Sequence, residues 1–296
     1  MLVNGSQAKL LFNAAREGHW AIGAFNIMDY ITGEAVISAA EELDVPVCLQ
    51  LMDGYNPEAP EGSRMMMTES QQHNLDTFII NRSKDATVPV ILHLDHCPTF
   101  AGCMRGLKRG LASLMLDASQ LPFDENAGMV KKVVEAAHPC GVIVEGEIGH
   151  VGGHPNSHGA IYTNVEDAVR FEEATGCDLT AVSIGTVHGY YATEPVLNYE
   201  RIAEIREVTK NPLVMHGSSG LREDQFRDAI KAGISKVNFA TYIQIAGGAA
   251  QLELAKQLIA DDKRAMMMAF NTAGLNAAKD YLKMHMTIFG TQKVTF

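Results

Sequence analysis

The segment Ser113–Ile148, SLMLDASQLPFDENAGMVKKVVEAAHPCGVIVEGEI, decides the fold. It opens on one short apolar run, Ser113–Ala118, and closes on another, Gly141–Ile148. Between them, Asp124–His138 carries apolar residues at helical spacing. The apolar runs are continuous rather than alternating, as in parallel strands buried on both faces, so the segment reads as strand, helix, parallel strand. The unit recurs about every thirty residues in both directions. Strand-like runs lie at Trp20–Ile27, Val45–Met52, Pro89–Asp95, Leu179–Gly185, Leu213–Gly217 and Lys236–Ala240. Amphipathic stretches at Asn164–Gly176, Asn198–Lys210 and Leu221–Gly233 separate the later ones, and several stop at glycine, the usual C-terminal signal. Eight strands, each followed by a helix, predict an α/β chain of the (β/α)8 barrel (TIM barrel) type with extra C-terminal helices from about Ala246. An open doubly wound sheet is the alternative.

Length agrees with a barrel. The 296 residues fit one domain over 1–296, since α/β barrels reach about 250 residues as a single unit. No linker or low-complexity tract interrupts the series. Two irregular stretches follow strands directly: Asp53–His73, rich in Gly, Pro and Met, and Val151–Tyr162, with Gly152, Gly153, His154, His158 and Gly159. A barrel keeps its functional loops at such positions. Met266, Met267 and Met268 are expected to be packing residues.

With 47% hydrophobic and 20% charged residues the chain has globular composition. Its 24 basic against 35 acidic side chains leave a formal charge of −11 and no basic patch, which argues against nucleic acid or an anionic membrane as partner. The first twenty residues lack the apolar core of a signal peptide, and no run is long enough to span a bilayer. Five scattered cysteines without a CxxC pair fit a reduced, cytoplasmic chain.

In a barrel, the strand ends converge on one mouth, where barrel enzymes build their sites. Read in order, those ends are Asn26, Asp53, Asp95 with His96, Asp117 with Ser119, Glu147, His188, His216, and Asn238 with Thr241. His96, His188 and His216 end the third, sixth and seventh strands. Three neutral imidazoles with an open fourth position describe a catalytic zinc site that polarises carbonyls. Their separations of 92 and 28 residues are too long for a zinc finger, so this reading depends on the fold. Asp117 and Glu147 bring carboxylates able to hold a second cation or to orient the metal ligands. Asp95 suits an acid/base role on a sugar hydroxyl. His93, inside the third strand, reads as a satisfied core group. His216–Gly220 (HGSSG) and Asn238–Thr241 (NFAT) follow strands seven and eight, where barrels commonly hold phosphate through loop amides and a helix N-terminus. Gly217, Ser218 and Ser219 would offer backbone N–H groups, with Asn238 and Thr241 adding side-chain donors.

These residues resemble the class II, metal-dependent ketose-bisphosphate aldolases, especially the tagatose- and fructose-bisphosphate branch. The resemblance runs from Gly23–Asn26 (GAFN) through His93–His96 (HLDH), Ser113–Ser119 (SLMLDAS) and Val144–Gly149 (VEGEIG). It continues through Gly152-Gly153, Ile184–Gly189 (IGTVHG), His216–Gly220 and Lys236–Thr241 (KVNFAT). It implies Zn2+ on His96, His188 and His216, a second or alternate metal position at Asp117 and Glu147, and Asp95 as the group handling the C4 hydroxyl proton. It also implies that Gly189, Gly217, Ser219, Asn238 and Thr241 bind the dihydroxyacetone phosphate end of a phosphorylated sugar. Arg264 would reach a phosphate of a neighbouring subunit in a homodimer or homotetramer, and a monovalent cation (Na+ or K+) could accompany the zinc. The implied reaction is reversible aldol cleavage. A sugar-phosphate isomerase or epimerase, and a non-catalytic sugar-phosphate sensor or accessory subunit, are the rivals. Three positions depart from the family pattern. Acidic residues usually follow the glycine pair, whereas here His154-Pro155-Asn156-Ser157-His158 does, making His154 or His158 the candidate base. The usual His-Gly-Gly-Ser-Gly is HGSSG, and Tyr242 replaces an acid.

Overall fold

A computed structural model describes residues 1–55, 67–149, 151, 162–189, 191 and 194–295. Eight parallel strands close on themselves in sequence order: β1 (Ile22–Asn26), β2 (Val47–Leu51), β3 (Val90–Cys97), β4 (Ser113–Leu116), β5 (Ile143–Ile148), β6 (Leu179–Val182), β7 (Leu213–Met215) and β8 (Ile234–Phe239). Closure comes from β1 pairing with β8, Ile22 opposite Lys236 and Ala24 opposite Asn238. The barrel expectation is met and the open sheet excluded. Ten α-helices are described, numbered in chain order: α1 (Gly5–Gly18), α2 (Tyr30–Leu43), α3 (Glu69–Asp85), α4 (Phe100–Lys108), α5 (Phe123–Ala137), α6 (Val165–Thr175), α7 (Tyr199–Val208), α8 (Glu223–Ala232), α9 (Thr241–Ala260) and α10 (Met267–Ile288). Helices α2 to α9 each follow one strand. Asn164 caps α6 by accepting from the Glu166 N–H, and Gly176 ends it at φ 67°, a left-handed turn that glycine adopts without strain.

Three features differ from the sequence reading. The helix beyond β8 begins at Thr241 rather than Ala246, so α9 completes the eighth unit and only α10 is additional. Helix α3 starts at Glu69, inside the stretch read as irregular. Met266, Met267 and Met268 are 63%, 79% and 71% exposed and do not pack within the chain.

Helix α1, which precedes the first strand, closes the barrel from below. Its Ala8, Leu11, Phe12 and Ala15 are fully buried against Ile22, Ala24, Cys48, Ile91, Leu179 and Val214, the inward side chains of the lower barrel. Charged side chains lock it there: Lys9 pairs with Asp178 at 2.7 Å, and Arg16 donates to the carbonyls of Arg206 and Thr209. Phe12→Ala should therefore cost about 3–5 kcal/mol of stability through the void it leaves, read as a lower urea midpoint with an unchanged m-value. The open end is the opposite one, where inward side chains change from apolar to polar. Above Ile91 on β3 come His93 and Asp95, and above Ile143 on β5 come Glu145 and Glu147, all but Asp95 (6%) at most 1% exposed apart from Ile143 at 5%.

Candidate active site

Strand β3 delivers two consecutive side chains to the mouth, which a regular strand cannot do because neighbours point to opposite faces. Its register against β4 shifts between Leu94 and Cys97, and His96 sits in the left-handed region at φ 44°. A bulge of this kind re-aims a side chain, and backbone strain at a non-glycine residue is characteristic of functional positions. The result is that Asp95 and His96 both line the same cavity.

The Asp95 carboxylate is gripped by three amides. Asn26 donates to one oxygen at 2.7 Å; Gln50 and Asn238 donate to the other at 2.8 and 3.3 Å. The acid thus has a fixed orientation while its rim remains open to the cavity. Gln50 was not among the residues read from the sequence, because a lone glutamine in the apolar run of β2 carries no motif.

The three histidines meet. Nitrogens of His96, His188 and His216 all lie within 4.8 Å of one another, and the rings stand nearly perpendicular with His96 centroids 4.9 Å from His188 and 4.5 Å from His216. Acids fix the tautomers. Asp117 sits 2.7 Å from His96 Nδ1, and Glu145 sits 2.9 Å from His216 Nε2. Each of those nitrogens is thereby the hydrogen-bearing one, leaving His96 Nε2 and His216 Nδ1 to face one another at 2.8 Å. Two lone pairs tolerate that approach only with a proton or a metal ion between them. Burial alone would lower the His96 pKa, but Asp95, the hydrogen bond to Asp117 and Glu147 outweigh it and raise it to about 9. For His216, complete burial and then the neighbouring His96 keep the ring well below its ordinary value.

Glu147 supplies the next donor. Its Oε1 accepts from the Val151 N–H at 3.0 Å, while the buried Oε2 has no hydrogen-bond partner among the described residues and lies 3.8 Å from His216 Nδ1. Desolvation, followed by the nearby Asp117, pushes its pKa up to about 7. Asp117 moves the other way: burial would raise it, but the His96 hydrogen bond and charge hold it below the usual carboxylate range. His96, Asp117 and Glu147 form a second group with ligand atoms within 4.8 Å. An orphaned carboxylate oxygen beside converging imidazole lone pairs is a donor set that fits a divalent cation. At metal–nitrogen distances of about 2.0–2.1 Å two ligand nitrogens stand roughly 3.3 Å apart, so the His96 and His216 nitrogens, 2.8 Å apart, need part only by about half an ångström.

Beside these groups the cavity, of about 250 Å3, is lined by Gly189, Gly217, Ser218, Ser219, Asn238 and Thr241. Gly217 has φ 65°, and a Cβ there would meet the Val187 carbonyl oxygen at 2.6 Å, so only glycine lets the β6 and β7 loops approach so closely. Tyr191, also missed by the sequence reading, pins those loops: its hydroxyl donates to the Gly217 carbonyl at 2.6 Å and accepts from the Val187 N–H at 3.2 Å. Ser219 Oγ accepts from the Ala240 N–H at 3.2 Å, whereas the Ser218 hydroxyl donates to the Asn238 carbonyl and is committed to the fold. Thr241 begins the twenty-residue α9, whose N-terminus carries no side-chain cap, so its first N–H groups open toward the cavity.

Residues 6–293 match the family described as fructose-bisphosphate aldolase class-II. The chain belongs to that family. As a class II aldolase it is a carbon–carbon lyase, and the family is generally metal-dependent. Among solved structures it is similar to the YdjI aldolase of Escherichia coli K12, at 31% identity with 98% of each chain covered and a TM-score of 0.83. The same fold appears in a putative fructose-1,6-biphosphate aldolase from Coccidioides immitis, at 24% identity, 96% of each chain and a TM-score of 0.82. It appears again in a fructose-bisphosphate aldolase from Campylobacter jejuni, at 22% identity, covering 99% of this chain and 97% of that one with a TM-score of 0.83.

One residue anticipated for the aldolase site is not placed at this cavity. Arg264, in the α9–α10 connection, is exposed and is not among the described residues lining the cavity. His154, with His158, falls outside the described residues.

Proposed function

We propose that this aldolase cleaves a ketose phosphate reversibly to dihydroxyacetone phosphate and an aldehyde, with zinc held by His96, His188 and His216. The observation that carries the reading is the convergence of those imidazole nitrogens within 4.8 Å beside Asp95, on the rim of a cavity whose far wall is the HGSSG loop and the start of α9. When bound, the zinc would supply Lewis acidity, polarising the substrate carbonyl and offsetting the negative charge that develops in the transition state. Asp117 and Glu147 would orient these ligands or hold a second or alternate metal position.

The chain's own groups do the rest. Asp95, fixed by Asn26, Gln50 and Asn238, takes the proton of the C4 hydroxyl as the C3–C4 bond breaks, and returns it in the condensation direction. Backbone N–H groups of Gly189, Gly217, Ser218 and Ser219, with Asn238, Thr241 and the α9 N-terminus, hold the phosphate of the three-carbon fragment. This explains how a chain of charge −11 accepts an anionic substrate: the attraction is local. His154 is proposed to protonate the enediolate at the ketone-side carbon, since an imidazole titrates near neutrality.

A homodimer or homotetramer completes the proposal. Only Ile243 is buried along the twenty residues of α9. Leu252 and Ile259 on that helix, with Met266, Met267 and Met268 after it, are 59–80% exposed. Exposed apolar residues in this number support an interface between copies of the chain; they flank Arg264 in sequence, which would then reach a neighbouring subunit's substrate. No described helix is long and apolar enough to cross a membrane.

The test is a panel assay on zinc-loaded protein, with cleavage of several ketose phosphates and condensation of dihydroxyacetone phosphate with several aldehydes. The expected result is two smaller carbonyl products from at least one ketose. A single isomeric sugar would make it an isomerase or epimerase instead, and binding without turnover would make it a sugar-phosphate sensor or accessory subunit.

A further inference from the structure

Beneath the mouth lies a fully buried ion pair that the chemistry above leaves unused. Lys236 on β8 and Glu145 on β5 are both 0% exposed, with Nζ 2.7 Å from Oε2. The other carboxylate oxygen, Oε1, is the one 2.9 Å from His216 Nε2. Lys236 Nζ also lies 3.4 Å from His93 Nε2, and that ring is fixed in turn by Ser113 Oγ, 2.7 Å from Nδ1. A buried pair of this kind contributes little net stability compared with apolar residues of the same shape. Its place, directly under one imidazole of the candidate metal group, suggests another use.

We propose that Lys236 and Glu145 are positioning residues that decide which nitrogen of His216 carries the hydrogen, leaving the Nδ1 lone pair toward His96. The inference rests on the reading of His216 as a metal ligand. A neutral imidazole carries its hydrogen on either nitrogen, and only the form with hydrogen on Nε2 leaves the Nδ1 lone pair for a metal. Glu145 selects that form by accepting from Nε2. Lys236 keeps the carboxylate turned, because its ammonium needs an acceptor at Oε2. The Asn238 amide nitrogen lies 3.0 Å from the same Nε2, but it donates to Asp95 and is a donor only, so it cannot take the hydrogen of Nε2, and the Glu145 carboxylate is the acceptor there.

The arrangement makes a counter-intuitive prediction. In Glu145→Gln the side chain has one oxygen, and Lys236, a donor only, claims it. The amide nitrogen then faces His216 Nε2 and donates to it, which moves the ring hydrogen to Nδ1. Removing the lysine as well frees the oxygen to accept from Nε2 again. The single variant should therefore be worse than the double variant Glu145→Gln/Lys236→Met, which also leaves no buried charge unpaired.

The experiment records the tautomer of His216 by two-bond 1H–15N correlation in metal-free, 15N-histidine-labelled protein, and zinc affinity by competition with a chromophoric chelator. Expected are Nε2–H in the native chain, Nδ1–H with affinity lowered by about 10–100-fold in Glu145→Gln, and both restored in the double variant. Hydrogen on Nδ1 in the native chain overturns the proposal without any variant. So does a double variant that binds zinc as weakly as the single one, the result a purely structural pair would give. If the tautomer switches as stated while no variant, nor the native chain, binds zinc, the positioning role stands and the metal reading falls.

Discussion

Asp95→Ala is expected to lower turnover by on the order of 10²–10⁴-fold, the usual contribution of a positioned acid/base group, with zinc still bound. The separation of the two effects follows from the geometry. Asp95 is tied to Asn26, Gln50 and Asn238, whereas the His96 and His216 rings are held by Asp117 and Glu145. Removing the carboxylate leaves both of those contacts in place. The measurement pairs steady-state kinetics with a zinc titration of the same preparation: kcat should collapse while metal stoichiometry remains that of the native chain. The three amides lose their acceptor in this variant, so Asp95→Asn, which keeps one oxygen, is the companion. It should restore stability more than it restores rate. Turnover within a few-fold of native in either variant would remove Asp95 from the mechanism.

The second large effect is metal withdrawal. Incubation with a strong chelator should take aldol cleavage to background, and stoichiometric zinc should bring it back. The physical reason is that no described group at the mouth other than the histidine site offers positive charge to the developing enediolate: the described lining residues of the cavity include no lysine or arginine. Binding to the folded form alone also stabilises it, by about 2.7 kcal/mol at a free metal concentration one hundred times Kd, so the thermal midpoint should rise with added zinc. Cleavage that persists after complete demetallation, or a borohydride-trapped lysine adduct, would show a different mechanism.

Much of this was legible in the chain because strand ends announce themselves. A polar residue toward the end of a strand-like run, as at Asn26, Asp95, Glu147, His216 and Asn238, has one destination in a closed barrel. What stayed hidden sits where that signal is absent. Gln50, Glu145 and Lys236 lie within strands, where one polar residue among apolar neighbours resembles ordinary alternation; their partners are up to 143 residues away. Tyr191 follows its strand by too many residues to be assigned a direction. The left-handed His96 could not be anticipated, since nothing in HLDH distinguishes a bulge from a regular strand. Met266–Met268 were misjudged for a different reason: apolarity says that a residue leaves water, but not whether its own chain or another covers it.

Helix α1 sets a condition on how the protein is made. Its partners are completed late: Arg16 holds the carbonyl of Thr209, 193 residues further on. At synthesis rates of about 5–20 residues per second, Leu11 and Phe12 spend on the order of 10–40 s outside the ribosome before their seat exists. The apolar face of α1 thus stays uncovered until the later strands are made, and it can dock only after they have formed.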